Sequence, residues 1–119
     1  EAHCTRMTQS HPQPIEPLAL TRLNEERYNN QSLASVNDHE VRMSVMTEQF
    51  PWHHHPDSDE TFYGVDGQLV IEFADGEVVL GPGQFVTVPA GVRHRTRPAA
   101  SRSVNLTFER SGAATVYDE

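Results

Sequence analysis

From residue 32 onward, the sequence consists of short runs of alternating apolar and polar residues separated by turn-forming dipeptides. The runs are rich in Val, Phe, Thr and Ile, which is typical of β-strands. No helical pattern of ten residues lies between them. The chain is therefore predicted to be an all-β sandwich or barrel. The predicted strands cover residues 39–47, 60–65, 68–73, 77–80, 84–89, 92–97 and 103–108.

The turn signals between these runs are specific. Asp66-Gly67 and Asp75-Gly76 are dipeptides suited to two-residue type I′ hairpins, in which both loop residues need a positive φ. Gly81-Pro82-Gly83 and Ala90-Gly91 mark two further tight reversals. We therefore expect compact connections between the predicted strands.

The N-terminal part of the chain lacks the strand pattern of the later residues. Residues 1–17 contain prolines at positions 12, 14 and 17 and are expected to form a flexible arm. Residues 18–119 are then predicted to form one domain. Within it, a helical turn is predicted over 24–30, and an additional strand over 18–23 or 32–36. Because Met7 opens a plausible native start, residues 1–6 are expected to be absent from the natural protein.

Charge and cysteine content narrow the function classes. The formal net charge is −8, with 9 basic and 17 acidic residues, so a nucleic-acid partner is not expected. Cys4 is the sole cysteine, which excludes an internal disulfide and fits a reducing compartment. No apolar run approaches the ~18 residues of a membrane span, and no secretory h-region is visible. A cytoplasmic location without membrane association is expected.

One stretch, PWHHHPDSDE at residues 51–60, concentrates histidines and carboxylates. On an extended chain alternate residues share a face, so His53 and His55 point one way and His54 the other. Glu60 opens the next predicted strand. Two imidazoles and a carboxylate are three of the ligands that a divalent transition metal prefers. A fourth is predicted to be His94, which follows the tight turn Pro89-x-Gly91.

These spacings resemble the two motifs of the cupins. The first motif corresponds to His53-x-His55, four residues, Glu60, six residues and Gly67. The second corresponds to Gly83, five residues, Pro89-x-Gly91, two residues and His94. Two positions depart from the family pattern: Thr47 replaces the Gly that usually opens the first motif, and Pro98 replaces the Asn that usually closes the second.

The resemblance implies a small antiparallel double-stranded β-helix, or jelly-roll barrel. It also implies one divalent metal, commonly Fe, Mn, Ni or Zn, held by His53, His55, Glu60 and His94. Such a site leaves coordination positions open to a small molecule, which favours a metal-dependent enzyme of the dioxygenase, isomerase or lyase type. Its substrate is expected to be small and polar or carboxylated. A non-catalytic ligand-binding or sensing protein and a barrel with a vestigial site are the alternatives, and a homodimer is expected.

Residues around the motifs are assigned by alternation. Phe62 is predicted to pack near the metal, Tyr63 to face the opposite way, and His3, His11 and His39 to be exposed. The arginines at 93, 95 and 97 alternate with His94 and are expected to form an outward-facing charged stripe rather than an anion site. Alternation alone leaves open whether Arg42 or Met43 faces the cavity. Candidates for contacts beyond the ligands are Gln49, Gln84, Thr87 and Thr96, and no acid–base pair stands out.

Overall fold

A computed structural model describes residues 11–21 and 29–118. Two five-stranded antiparallel sheets face each other, and one short helix, α1, covers Pro17–Thr21. The strands are β1 (Asn29–Val36), β2 (His39–Met46), β3 (Phe50–His54), β4 (Glu60–Asp66), β5 (Leu69–Phe73), β6 (Gly76–Leu80), β7 (Phe85–Val88), β8 (His94–Pro98), β9 (Ser103–Arg110) and β10 (Val116–Tyr117).

The strand order shows how the chain winds between the sheets. The first sheet has the order β1-β2-β9-β4-β7 and the second the order β10-β3-β8-β5-β6. Successive strands from β3 to β9 therefore mostly alternate between the sheets, which is the winding of a double-stranded β-helix. The predicted all-β fold and its seven predicted strands are confirmed.

The side chains that fill the space between the sheets form the larger apolar core. Its buried members are Met46, Phe62, Leu69, Ile71, Leu80 and Val88. A second cluster lies on the outer face of the first sheet, where Met43, Val45 and Val104 are buried beneath Leu20 of α1 and Leu33 of β1. One of the two positions predicted for an additional strand, residues 18–23, is therefore wrong, because residues 18–21 belong to α1. The other possibility, 32–36, lies within β1 and is confirmed.

Of the two hairpins predicted at Asp-Gly dipeptides, the first is wrong, and the second is confirmed as a hairpin but with a different loop. Asp66-Gly67 connects β4 in the first sheet to β5 in the second, so it forms a corner rather than a hairpin. Gly67 is needed there because a Cβ would lie 2.4 Å from the carbonyl oxygen of Arg102. In the β5–β6 hairpin, Gly76 pairs with Phe73. The two loop residues are thus Ala74 and Asp75, and neither has a positive φ.

The remaining N-terminal predictions are only partly covered by the structure. Residues 11–16 precede α1 without regular structure. Asn29 and Asn30, which end the predicted helical turn, are the first residues of β1. Residues 24–28 lie outside the described residues, as do His3, Cys4 and Met7. The domain boundary at residue 18 stays a prediction.

Candidate metal centre

The four predicted ligands come together at one end of the space between the sheets. His53 lies in β3, His55 follows that strand, and Glu60 and His94 are the first residues of β4 and β8. All four are buried, with 1–8% of each residue exposed. One nitrogen or oxygen atom from each lies within 4.8 Å of those of the other three. These residues could hold a metal ion.

Strand pairing fixes two of the histidines directly. His53 and His94 are register partners in the β3–β8 ladder, and their ring centroids are 4.4 Å apart. The register shifts between Phe50 and His53, so that three residue steps on β3 span two on β8. This bulge places both Phe50 and His53 toward the cavity despite their odd spacing. Their rings pack edge-to-face at 4.9 Å.

Each of the three histidines is oriented by a main-chain carbonyl group. His53 Nδ1 donates to the carbonyl oxygen of Pro51 at 2.7 Å, and His94 Nδ1 donates to that of Val92 at 2.9 Å. His55 Nδ1 donates to the carbonyl oxygen of Ala114 at 3.1 Å. A carbonyl oxygen only accepts, so Nδ1 carries the hydrogen in all three rings. The neutral rings therefore present the lone pair of Nε2, which is the arrangement that orients a histidine ligand.

The donor set fits a divalent transition metal. Glu60 Oε1 lies 3.2 Å from His55 Nε2 and 3.3 Å from His94 Nε2. His55 Nε2 is buried and, among the described residues, has no hydrogen-bond partner with acceptable geometry. A buried polar nitrogen of this kind is costly unless something binds it. Three imidazoles and one carboxylate match the preference of Zn, Fe, Mn and Ni ions.

Mutual proximity alters the acidity of these groups. Burial opposes ionisation of Glu60, but the adjacent His55 and His94 lower its pKa to about 2. The Glu60 carboxylate raises the pKa of His55 to about 9. Burial lowers the pKa of His53 below its ordinary value. Without metal, His55 and Glu60 are therefore oppositely charged at neutral pH, whereas a ligating His55 must be neutral.

A second carboxylate, missed from the sequence, lies beside the ligands. Glu109 on β9 has one oxygen 4.0 Å from His55 Nε2, and that oxygen has no hydrogen-bond partner among the described residues. Burial, together with the charge of Glu60, raises the pKa of Glu109 to about 7. Glu109 was not among the contacts beyond the ligands that were predicted from the sequence. The signal was the alternation Asn105, Thr107, Glu109, which places polar groups on one face of β9.

The ligands open onto a cavity of about 150 Å³. Ser44, Thr96, Asn105, Thr107 and Glu109 line it together with aromatic rings from Phe50 and Phe62. Arg42 faces this cavity, and Met43 points to the outer apolar cluster, which answers the question that alternation left open. Of the predicted contacts beyond the ligands, only Thr96 lines the cavity.

The other three predicted contacts lie away from the cavity. Gln49 bonds to Glu72 at the surface, at 3.4 Å. Gln84 accepts from the amide of Gly81 and so caps a turn. Thr87 bonds to Thr61. All three sit on strand faces or turns that point away from the ligands, so their prediction as site residues is wrong.

The arginines at 93, 95 and 97, at the start of and along β8, point away from the candidate ligands, as alternation indicated. The guanidinium groups of Arg93 and Arg95 lie 4.1 and 4.9 Å from the Trp52 ring. Arg95 and Arg97 both pair with Glu72, at 3.1 and 3.2 Å. These charges are paired at the outer surface, so they do not form an anion site in the cavity.

The remaining residues of the motifs sort by face. Phe62 is 5% exposed and meets the His94 ring edge-to-face, with centroids 6.1 Å apart. Tyr63 lies in a separate groove beside α1. His54 is half-buried and does not belong to the cluster of four. His11 and His39 are exposed, as predicted.

The fold and the two sequence motifs together define a cupin, and comparison with known proteins agrees. The family profile described as Cupin domain matches residues 39–107, more than half of the chain. The chain therefore belongs to the cupin domain family. It is 45% identical over 103 residues to the uncharacterized protein YdbB of Bacillus subtilis, covering 86% of this chain and 90% of YdbB.

Other relatives are more distant or longer. Acireductone dioxygenase of Bacillus subtilis is 33% identical over 72 residues, which is 56% of this chain but only 40% of that enzyme. A cupin-2 domain protein from Shewanella frigidimarina superposes with a TM-score of 0.75 at 26% identity, over 81% of this chain and 93% of that one. DMSP lyase DddQ from Ruegeria pomeroyi superposes with a TM-score of 0.67 at 22% identity. The match covers 79% of this chain and 53% of DddQ, and it shows a shared fold.

Helix length bears on membrane association. Within residues 11–21 and 29–118, no helix has the length and apolar character needed to cross a membrane.

Proposed function

We propose that His53, His55, Glu60 and His94 bind one divalent transition metal, and that the protein is a metal-dependent enzyme acting on a small polar or carboxylated molecule. The observation that carries this proposal is the buried cluster of four donor atoms within 4.8 Å, open on one side to a polar cavity. A purely structural metal site would be closed by protein ligands on all sides.

The chain's own residues supply three features of such a site. Carbonyl groups orient each imidazole through Nδ1 and leave Nε2 for the metal. Phe50 and Phe62 form apolar walls that limit water around the ligands. When bound, a divalent transition metal supplies Lewis-acid or redox chemistry at the inner end of the cavity. Glu109, beside Glu60 and His55, is placed to accept or donate a proton at the bound molecule.

The relatives support a small-molecule enzyme without identifying the reaction. Acireductone dioxygenase is a dioxygenase by name, DMSP lyase DddQ a lyase, and a similar structure from Ralstonia eutropha is described as a putative mannose-6-phosphate isomerase. The last has a TM-score of 0.70 at 22% identity and shares the fold. Because one fold carries several reactions, the proposal extends to dioxygenase, isomerase or lyase chemistry.

The proposed homodimer has separate support. Strand β7 ends the first sheet, and its Phe85 is 71% exposed. An exposed sheet edge next to such a ring is suited to pairing with a second copy. A sedimentation mass near that of one 13.4 kDa chain at micromolar concentration would contradict the dimer.

Elemental analysis followed by a substrate screen tests the proposed function. We expect about one transition metal per chain in protein purified without chelator, and none in His55→Ala. The loaded protein is then incubated aerobically with mixtures of small hydroxy, oxo and amino acids and sugars, and products are followed by NMR. Turnover by the wild type and His54→Ala, but not His55→Ala, is expected. Metal-free wild-type protein that cannot be loaded would refute the proposal.

A further inference from the structure

The inner face of the first sheet presents polar side chains to the cavity. Ser44, Asn105 and Thr107 are each less than 8% exposed and line the cavity. Beside them, Glu109 Oε1 is buried without a hydrogen-bond partner among the described residues. A buried polar atom of this kind is normally paired with protein, water or ligand. The cavity wall is therefore suited to a molecule that carries several hydrogen-bonding groups.

Arg42 lies in register with this wall. In the β2–β9 ladder Arg42 pairs with Thr107, and Ser44 pairs with Asn105. Arg42 is the one Arg or Lys among the residues described as lining the cavity. Its side chain is 32% exposed, so the guanidinium sits between the buried wall and solvent.

Neighbours hold the Arg42 guanidinium but leave part of it available. Nε donates to Asn30 Oδ1, and Nη1 lies 3.3 Å from a carboxylate oxygen of Glu40. No described residue pairs with Nη2. An arginine fixed in this way presents its remaining N–H groups in a defined direction, which suits recognition of a carboxylate.

Two positive groups flank the cavity when a metal is bound. Glu60 and Glu109 are the carboxylates among the lining residues, and Arg42, which also contacts the Glu40 carboxylate, carries the positive charge. A divalent metal at the four proposed ligands would offset the charges of Glu60 and Glu109. An anionic group between the metal and Arg42 would then be attracted by both.

The size of the cavity suits a small molecule. It measures about 150 Å³ and is open to solvent on one side, near Arg42.

Resting on the proposed metal site, we propose that Arg42 binds the carboxylate of a small hydroxy- or oxo-carboxylic acid. The hydroxyl or oxo groups of that acid bond to the polar wall formed by Ser44, Asn105 and Thr107, and its other end faces the metal ligands. Arg42 thereby determines specificity for carboxylates over uncharged analogues.

Binding measurements with paired probes test this role. Zinc-loaded protein is titrated calorimetrically with glycolate, 3-hydroxypropionate and 4-hydroxybutyrate, and with the primary amide of each acid. We expect at least one acid to bind about tenfold or more tightly than its amide. Arg42→Met should lower the affinity for that acid about 10–100-fold, which is the range expected for a lost charge-assisted hydrogen bond. The affinity for the amide should be nearly unchanged. Arg42→Lys should retain part of the preference.

A control variant is measured alongside Arg42→Met, and three outcomes would contradict the proposal or its basis. Arg97→Met removes a similar charge from the outer surface, where Arg97 pairs with Glu72 and Glu77, and should leave both affinities unchanged. A preference for acids that persists in Arg42→Met would assign the carboxylate to the metal and overturn the role of Arg42. Wild-type protein with one zinc per chain that binds none of the acids would also overturn it, while leaving the metal site intact. Failure to bind zinc would refute the proposed function itself.

Discussion

His55 donates a hydrogen bond from Nδ1 to the carbonyl oxygen of Ala114, which lies 59 positions later in the chain, at 3.1 Å. The segment around Ala114 is itself anchored: its amide donates to the Asp57 carboxylate at 3.1 Å. Strand β10 then pairs with β3, where Tyr117 faces His53. The C-terminal segment 111–118 thus supports two of the candidate metal ligands from outside the motifs.

We predict that loosening this segment weakens metal binding without removing a ligand. Asp57→Ala deletes the acceptor for the Ala114 amide and frees the carbonyl that orients His55. Loss of such outer contacts typically costs about 10–100-fold in metal affinity. Zinc affinity, measured by competition with a chromophoric chelator, should fall by about that factor. Asp75→Ala, in the β5–β6 loop, is the matched control, and equal affinities for the two variants would contradict the supporting role.

Single substitutions in the two motifs should differ according to the face on which each residue lies. His53→Ala, His55→Ala, Glu60→Ala and His94→Ala each remove a proposed ligand and should reduce metal content to a small fraction of one per chain. His54→Ala removes no proposed ligand and should keep the metal content of the wild type. The far-UV spectrum should stay that of a β protein, because the core between the sheets is built from apolar side chains. The same loss of metal in His54→Ala and His55→Ala would contradict the site.

Metal binding should release protons at neutral pH. Beside Glu60, metal-free His55 has a pKa of about 9, so it is protonated at pH 7.5 and must lose that proton to bind a metal. About one proton per metal is expected, measured from the dependence of binding heat on buffer ionisation enthalpy. Metal affinity should also fall as the solution becomes more acidic, because protons compete with the metal for histidine ligands. Metal affinity independent of pH between 5 and 8 would contradict three histidine ligands.

The same pair of charges should shape the stability of the metal-free protein. The pKa of Glu60 is lowered from 4.5 to about 2, so its contribution is full above 4.5 and is lost as pH falls toward 2. The pKa of His55 is raised from 6.5 to about 9, so its contribution is full below 6.5 and is lost as pH rises through 9. Urea unfolding should therefore show the pair stabilising most between about pH 4.5 and 6.5. His55→Ala should flatten the profile on its alkaline side, and an unchanged profile would contradict the ion pair.

Gly64 should be intolerant of any side chain. A Cβ at this position of β4 would lie 2.2 Å from the carbonyl oxygen of Gly81, a contact that no rotamer relieves. Gly64→Ala should lower the free energy of unfolding by about 1–3 kcal/mol, the usual cost of overpacking. Gly81→Ala is the control, since its Cβ would meet only the Gln84 side chain at 3.4 Å. Similar unfolding midpoints for the two variants in urea would contradict the close approach of Gly64 to the loop at Gly81.

The candidate metal ligands could be predicted because they lie in short motifs with fixed spacing. His53 and His55 share a face by simple alternation, and a tight turn before His94 sets where β8 begins. Alternation groups the polar residues of β9 on one face, but it does not show that this face meets the cavity. Arg42, Asn105 and Glu109 lie on β2 and β9, which pair with each other, and their register depends on the whole sheet rather than on local spacing.

The turn predictions show a similar limit. An Asp-Gly dipeptide permits a tight reversal, but it does not determine whether the next strand pairs with the previous one. At Asp66-Gly67 the next strand joins the other sheet, because the inner faces of β4 and β5 both carry apolar residues that pack across the core. Tertiary packing, not the dipeptide, decides the partner of each strand.

The contact between His55 and Ala114 has a consequence for biosynthesis. All four donor residues have been synthesised once the ribosome reaches residue 94, but β9 and the carbonyl that orients His55 are still missing. A nascent chain at that stage has the donors without the framework that aligns them. The alignment of the four donor atoms is therefore a property of the finished polypeptide, acquired after translation of the last strand.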